Sequence, residues 1–341
     1  MPAFDPLVAQ KRAVRLMAMA LYTGSLPHAF LFTGHEGTGR RAVAVALAMA
    51  ANCVKPPRDT MGNEKINGSS AGENALRSCG QCRSCKKIMA GNHPDIHIVE
   101  PSGKMIKVDQ IRALCRKLSL KPYEASTRVA VIAGAQTLNP EAGNTLLKTL
   151  EEPPEHTVFI LTALQATDLL PTIVSRCRHL HFAPIPAELL RLYLENHHGM
   201  DSITADVIAS MADGSMTQAR RMAETGWVEH RNQIIEQMES MTSPGERLVF
   251  AESLSRKKEQ LPEVFGIMQS WLRDLIVNRI APEKIIHRDL IDKIENYGPR
   301  HRVVSLMSKI NAITTAQQDI HANANIRLTL DALMLSLAME E

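Results

Sequence analysis

One stretch decides the fold of this sequence: Ala29-Phe30-Leu31-Phe32-Thr33-Gly34-His35-Glu36-Gly37-Thr38-Gly39-Arg40-Arg41. Its first four residues form an apolar run that is typical of a buried strand, and a glycine-rich turn follows. After the turn, an Ala/Val/Leu-rich segment predicts a helix that continues to Ala51. Before the strand, apolar residues at helical spacing predict another helix within Asp5 to Leu26. Strand, turn and helix in this order are the context that a phosphate-binding loop requires.

Downstream, short apolar runs alternate with helical patterns. The predicted strands are Ile96–Val99, Val129–Ile132 and Val158–Leu161, and the predicted helices between them are Lys107–Leu118 and Asn139–Glu151. Pro153 and Pro154 end the second helix, since the residue before a proline is disfavoured in a helical conformation. This alternation predicts an α/β domain built on a doubly wound parallel sheet.

Strand-like runs cease after Phe182, and Pro184 and Pro186 mark a boundary. Beyond it the sequence predicts helices only: Ala187–Glu195, Ile203–Met211, Met216–Ala223, and longer amphipathic helices from Val228 to Leu337. We therefore expect an α/β domain followed by all-α domains. The predicted boundaries are 1–183 for the sheet domain, 184–226 for a small helical domain and 227–341 for a larger helical domain.

The composition excludes several classes of protein. A hydrophobic content of 45% is that of a globular chain, and an aromatic content of only 4% disfavours an RNA-binding sheet that stacks bases on aromatic side chains. The net charge of +3 is too small to indicate nucleic-acid binding by itself. No apolar run has the length of a membrane span, and the N-terminus has no signal-peptide pattern. We expect a cytoplasmic protein without a membrane partner.

The cysteines indicate a metal site. Cys79, Cys82 and Cys85 are spaced so that their thiolates can reach one ion, and Cys53 can supply the fourth ligand across a polar stretch. The insertion from 53 to 85 is thus a predicted zinc module. An iron–sulfur cluster is the alternative, but the further cysteine and proline of a ferredoxin-type run are missing. The remaining pair, Cys115 and Cys177, fits small buried hydrophobic positions.

The glycine-rich turn departs from a working P-loop. In the pattern G-x-x-x-x-G-K-[ST], the lysine reaches the phosphates and the hydroxyl binds Mg²⁺. Gly34 and Gly39 keep their places around Gly37, but Arg40 replaces the lysine and Arg41 replaces the hydroxyl residue. We expect no ATP binding here. A tight turn kept for packing and weak anion binding at the helix N-terminus both remain open.

Two further segments carry a family resemblance. Asn144-Thr145-Leu146-Leu147-Lys148-Thr149-Leu150-Glu151-Glu152-Pro153-Pro154, followed by Ser175-Arg176-Cys177, resembles bacterial DNA polymerase III clamp-loader subunits of the gamma/tau and delta-prime type. The segments 26–34 and 108–112 are similar to the same family. The resemblance implies an AAA+-type P-loop sheet domain with a zinc module, a small helical lid domain and a C-terminal helical collar domain that joins subunits.

The resemblance also assigns roles to residues. Active members carry an Asp and a Glu after the strand that is Val129–Ile132 here, whereas this chain has Ala133 and Gly134. The resemblance implies that Arg176 is an arginine finger that enters the nucleotide site of a neighbouring subunit, and an ordinary surface arginine is the alternative. Gly214-Ser215 with Arg220 resembles the sensor-two region of active members, but without a working P-loop a helix cap at Ser215 beside a solvated Arg220 explains it better.

Together these features predict a non-hydrolysing stator of the delta-prime type. Its partners would be gamma/tau ATPase subunits and a delta subunit, and the complex would load a sliding clamp onto primed DNA during replication. Two alternatives remain: an active gamma/tau-type ATPase, and a stand-alone zinc-dependent nucleic-acid-binding protein. Both receive little support from the residues, because the catalytic groups are absent and the basic charge is modest.

Overall fold

The computed structural model of the chain describes residues 9–56 and 76–338. The start of the first predicted helix, at Asp5, and most of the polar stretch between Cys53 and Cys79 lie outside the described residues. The chain divides into two compact units, one of Met1–Leu189 with Asp213–Thr217 and the other of Leu190–Ala212 with Gln218–Glu341. The division into three domains made from the sequence stays a prediction.

The first unit is built on a parallel sheet. Its strands are β1 (Ala29–Thr33), β2 (Ile96–Val99), β3 (Arg128–Ile132), β4 (Thr157–Ala163) and β5 (Arg178–His181). They lie in the order β2-β3-β4-β1-β5, and each neighbouring pair is parallel. All residues of β1, β3 and β4 are buried, as expected for strands covered on both faces. The predicted doubly wound parallel sheet is confirmed.

Helices cover both faces of this sheet. They are α1 (Lys11–Tyr22), α2 (Arg40–Ala51), α3 (Arg83–Met89), α4 (Val108–Leu118), α5 (Pro140–Glu151) and α6 (Pro171–Val174). One buried cluster joins α1 and α2 to the side chains of Phe30 and Phe32, and a second joins α4 and α5 to Leu31 and Ala130. Successive residues of a strand point to opposite faces, so one strand contributes to both clusters.

Two elements near the end of the sheet domain were not predicted from the sequence. The edge strand β5 has the polar sequence Arg-His-Leu-His, in which only Leu180 is buried. A strand with one buried residue lacks the apolar run used to recognise the other four. The single-turn helix α6 is likewise too short to show a helical period, and it leads directly into Ser175-Arg176-Cys177.

The rest of the described chain contains helices and turns. The α-helices are α7 (Ala187–His198), α8 (Ser202–Met211), α9 (Met216–Glu224), α10 (Trp227–Ser240), α11 (Pro244–Ser255), α12 (Leu261–Val277), α13 (Ile291–Tyr297), α14 (Val303–His321) and α15 (Ile326–Ser336). This agrees with the all-helical expectation after Phe182. Within the described ranges, none of the helices is long and apolar enough to cross a membrane.

A buried polar network crosses the core of the second unit. The side chain of Arg231 is fully buried and makes a bidentate contact with Asp289. Arg231 Nη1 also lies 3.2 Å from Nδ1 of His287. His287 Nε2 lies 3.0 Å from the hydroxyl of Ser270. Because a guanidinium can only donate, Nδ1 accepts and the His287 proton resides on Nε2.

This neutral imidazole makes the second unit sensitive to acid. Burial, together with the positive charge of Arg231, lowers the pKa of His287 to about 3 from an ordinary value of 6.5. The unfolded chain therefore binds a proton below pH 6.5 that the folded chain does not bind until about pH 3. The stabilisation that comes from the neutral His287 is complete above pH 6.5. As the pH falls from 6.5 towards 3, this group lowers the free energy of unfolding by about 1.4 kcal/mol per pH unit.

We predict that His287→Gln removes this slope. The variant should be less stable than the parent at neutral pH, but its free energy of unfolding should fall less steeply between pH 6.5 and pH 5. Denaturant unfolding followed by tryptophan fluorescence measures this unit selectively, because Trp227 and Trp271 both lie in it and the sequence has only two tryptophans. Equal slopes for parent and variant would contradict the prediction.

Candidate functional site

The glycine-rich turn after β1 is required by close packing. Gly34, Gly37 and Gly39 all have positive φ angles, of +144°, +79° and +90°. A Cβ atom on Gly34 would overlap the carbonyl oxygen of Phe182, and one on Gly37 would overlap the hydroxyl of Ser215. Glycine is therefore needed for backbone conformation and for space at both positions. This supports the packing interpretation of the turn.

Residues of the first unit that lie outside the glycine-rich turn stabilise it by hydrogen bonds. Gln10 donates from Nε2 to the carbonyl oxygens of Thr38 at 3.2 Å and of Ala183 at 2.8 Å. The backbone N–H of Met216 donates to the carbonyl of Gly37 at 3.1 Å. Gln10 was not singled out from the sequence, because one glutamine at the start of a helix gives no signal by itself.

Arg40 and Arg41 both bind groups at the carboxyl edge of the sheet. Arg40 Nη1 donates to the carbonyl oxygen of Ala163, the last residue of β4. Burial lowers the pKa of Arg40, against the opposing charge of Glu36. Arg41 forms an ion pair with Glu100, directly after β2. Open α/β sheets bind ligands at this edge, and here two side chains of the protein bridge it.

The positions after β3 and β4 carry no catalytic groups. The N–H of Ala133 donates to the carbonyl of Val99 at 2.9 Å, which continues the sheet ladder by one residue. The N–H of Gly134 donates to Thr162 Oγ1 at 3.0 Å. The hydroxyl of Thr162, near the end of β4, thus accepts a backbone hydrogen bond. Neither Ala133 nor Gly134 offers an oxygen ligand or a base from its side chain.

The cysteine cluster is brought together as predicted. The Sγ atoms of Cys53, Cys79, Cys82 and Cys85 all lie within 4.8 Å of one another. Cys53 follows α2, and Cys82 caps the N-terminus of α3 by accepting the N–H of Cys85 at 3.5 Å. Two more N–H···S contacts, from Cys79 to the sulfur of Cys53 at 3.2 Å and from Cys82 to the sulfur of Cys79 at 3.3 Å, orient the group. The four thiols could hold a metal ion.

The four thiols differ in acidity before any ion binds. The N–H of Cys85 at the helix cap lowers the pKa of Cys82 to about 6, and the N–H of Cys82 lowers the pKa of Cys79. Burial raises the pKa of Cys85 to about 12 and also raises that of Cys53. Two sulfurs are therefore prepared to bind as thiolates, while the other two need the charge of the metal to lose their protons.

Arg176 lies where the two segments of the family resemblance meet. Its guanidinium Nη2 is 2.6 Å from Glu151 Oε1, at the C-terminal end of α5. Its Nη1 donates to the carbonyl of Thr172 at 2.9 Å. The side chain is about one-third exposed, at 35%. The structure thus explains why Glu151 and Arg176 belong to one motif despite their separation in sequence.

The other candidate residues have simpler surroundings. Burial raises the pKa of Cys177 to about 12, which leaves it an unreactive thiol. Cys115 contacts the hydroxyl of Thr149 at 3.2 Å and lies outside the metal cluster. Arg220 is exposed and lies 3.6 Å from Glu224 one turn later on α9. A surface helix pair is sufficient to explain Arg220.

These features define an α/β protein with a glycine-rich turn after β1, a four-cysteine cluster and a following helical unit. The family profile described as "DNA polymerase III, delta subunit" matches residues 9–186, and "DNA polymerase III, delta subunit, C terminal" matches residues 225–338. The chain belongs to this DNA polymerase III delta-subunit family, which confirms the resemblance noted in the sequence.

Individual relatives agree with this assignment. DNA polymerase III subunit delta' of Bacillus subtilis is 29% identical over 334 residues, which are 96% of each chain. Subunit delta' of Pseudomonas aeruginosa is 28% identical over 321 residues, covering 91% of this chain and 92% of the relative. The Bacillus subtilis tau subunit is 30% identical over 221 residues, covering 63% of this chain and 36% of tau.

We predict that restoring the P-loop residues does not restore ATP hydrolysis. Arg40→Lys combined with Arg41→Thr supplies the missing lysine and hydroxyl, but Ala133 and Gly134 still provide no metal ligand or base. Steady-state phosphate release by the isolated chain should stay at background for parent and variant. The prediction is contradicted if the parent chain hydrolyses ATP and the Arg40→Ala variant does not.

Proposed function

We propose that this chain is the non-hydrolysing, delta-prime-type subunit of a bacterial DNA polymerase III clamp loader. In this role it serves as a stator beside gamma/tau-type ATPase subunits and a delta-type subunit, and the cytoplasmic complex loads a sliding clamp onto primed DNA. The observation that carries the proposal is the use of Arg40 and Arg41 to bridge the edge of the sheet where an ATPase would hold nucleotide.

The closed turn argues against the active gamma/tau alternative. ATP at this edge would need the guanidinium of Arg40 to leave a buried carbonyl and Arg41 to leave Glu100. Even then, the residues after β3 would supply no ligand for Mg²⁺ and no group to position water. Packing of Arg40 and Arg41 against the protein itself explains both contacts without a nucleotide.

Arg176 is suited to act on a neighbour instead. An exposed ion pair such as Arg176–Glu151 contributes only about 0–1 kcal/mol, so exchange of the carboxylate for a phosphate oxygen costs little. The hydrogen bond from Nη1 to the carbonyl of Thr172 holds the guanidinium against α6. Its Nη2 makes the ion pair with Glu151. A planar guanidinium held in this way can contact two phosphate oxygens of a nucleotide bound by another subunit.

The cysteine cluster fits zinc best. Tetrahedral zinc thiolate sites have Zn–S distances near 2.3 Å, which place sulfurs roughly 3.8 Å apart. Cys79 Sγ and Cys85 Sγ already lie 4.0 Å apart, and the N–H···S contacts would stabilise the negative sulfurs as second-sphere donors. The ion would join the end of α2 to the start of α3 and so serve structure. No step of the proposed ATP-linked cycle passes through it.

A stand-alone nucleic-acid-binding role is the remaining alternative. It would require a zinc module that binds DNA without partners, whereas the full-length similarity is to polymerase subunits. DNA affinity of the isolated chain separates this alternative from the proposed role.

We predict one zinc ion per chain in protein purified without added metal. Cys82→Ser should lose the metal and lower the melting temperature, because a structural ion contributes to folding free energy. Cys115→Ser is the matched control, since Cys115 is also a partly buried free thiol but lies outside the cluster. Elemental analysis that finds iron, or the same zinc content in both variants, would contradict the assignment.

We predict that Arg176→Ala lowers the DNA- and clamp-stimulated ATPase of the reconstituted complex without changing folding or zinc content. At the one affected site the loss should be on the order of the thousandfold or more typical of arginine fingers, diluted by the other sites. Arg176→Lys should recover little, because an ammonium cannot reproduce the bidentate contact.

Arg191→Ala provides the control for the Arg176 experiment. Arg191 also has a guanidinium nitrogen 2.6 Å from a carboxylate oxygen, in Glu195, so its removal matches the loss of one surface ion pair. Unchanged ATPase is expected for this variant. Equal turnover by the parent and Arg176→Ala complexes would return Arg176 to the role of a surface arginine.

A further inference from the structure

A groove of about 780 Å³ lies between α1 and the edge strand β5, entirely within the first unit. Arg178, His179, Leu180 and His181 all line it. Side chains along a strand alternate between the two faces of a sheet, so a groove that touches every residue of β5 must follow the strand's edge. The first turns of α1 form the opposite wall.

The edge of β5 offers unpaired backbone groups to this groove. Within residues 9–56 and 76–338, β5 pairs with β1 on one side and has no neighbouring strand on the other. The N–H of Phe182 donates to the carbonyl of Thr33 in β1 at 2.7 Å. Because backbone groups alternate in direction along a strand, Leu180 also faces β1, whereas the N–H and C=O groups of His179 and His181 face the groove.

The rim of the groove is positively charged. Lys11, Arg12 and Arg178 line it, and Glu188 is the single acidic residue that does so. Among the described residues, neither Arg12 nor Arg178 forms an ion pair. Three cationic side chains against one carboxylate on the same rim favour an anionic partner.

We propose that the groove binds an extended acidic peptide segment of a partner protein, which adds to β5 as a sixth strand of the sheet. The peptide backbone would pair with His179 and His181, while its acidic side chains would meet Arg12 and Arg178 at the rim. This is the β-augmentation mode, in which main-chain hydrogen bonds supply affinity and flanking contacts supply specificity. The site is separate from the ATP-linked role of Arg176, and it exists in the isolated chain.

Other occupants fit less well. A second copy of β5 would place like charges opposite one another, which is how natural edge strands avoid self-pairing. A single-stranded nucleic acid would satisfy the cations but would find no Phe, Tyr or Trp side chain on the lining to stack its bases. The partly exposed apolar residues Leu16 and Leu189 on the lining suit alternate side chains of a peptide strand.

Fluorescence anisotropy with the full chain and a labelled peptide of alternating glutamate and valine tests the proposal. His179→Pro removes a groove-facing N–H without breaking the β1–β5 ladder, since proline is tolerated at edge positions whose N–H faces outward. His179→Ala keeps the N–H and removes only the side chain. We expect a loss of affinity of about tenfold or more for the proline variant, and a change of no more than about threefold for the alanine variant.

Two further comparisons separate the contribution of the charged side chains from that of the backbone hydrogen bonds. Arg178→Glu should also weaken binding by about tenfold, whereas Arg116→Glu, an equally exposed arginine on α4, should not. A peptide N-methylated at alternate residues keeps its charge but cannot pair, and it should not bind. Equal binding of the methylated peptide, no measurable binding of the parent peptide, or a preference for labelled oligothymidylate that His179→Pro leaves unchanged would each overturn the proposal. Circular dichroism melting of every variant ensures that a lost fold is not scored as lost affinity.

Discussion

The close approach of the glycine turn to Phe182 and Ser215 is the constraint on which the sheet domain depends. It fixes the direction in which the chain leaves β1 and so fixes the axis of α2. That axis places Arg40 against the carbonyl end of β4 and Arg41 beside the end of β2. The turn is therefore fixed by close packing, and two side chains of the protein bridge the sheet edge beside it.

Much of the α/β domain could be predicted because its signals are local. The strands β1, β3 and β4 are buried on both faces, so each appears as an apolar run bounded by turn residues. Pro140 and the capping residue Asn139 likewise mark the start of α5. The cluster of Cys79, Cys82 and Cys85 could also be predicted, because their short spacing keeps the three thiols close together.

The features that could not be predicted depend on contacts between distant residues. β5 becomes a strand because β1 offers it a ladder, not because Arg-His-Leu-His favours one. The ion pair of Arg176 with Glu151 and the bracing of the turn by Gln10 join positions whose proximity only the folded chain creates. In the helical unit, the buried arrangement of Arg231, His287 and Asp289 is equally invisible in a sequence where each residue resembles an ordinary surface position.

The contact between Cys53 and Cys79 has a consequence for how this domain can vary in length. Their N–H···S distance of 3.2 Å means that the two ends of the intervening segment lie side by side. The entropy of closing such a loop grows only with the logarithm of its length, so doubling the intervening segment costs about 0.6 kcal/mol. A longer segment between these cysteines would therefore add little to the entropy cost of holding them together. A deletion that included Leu76 would instead remove a buried side chain from the core that Phe30 and Phe32 share.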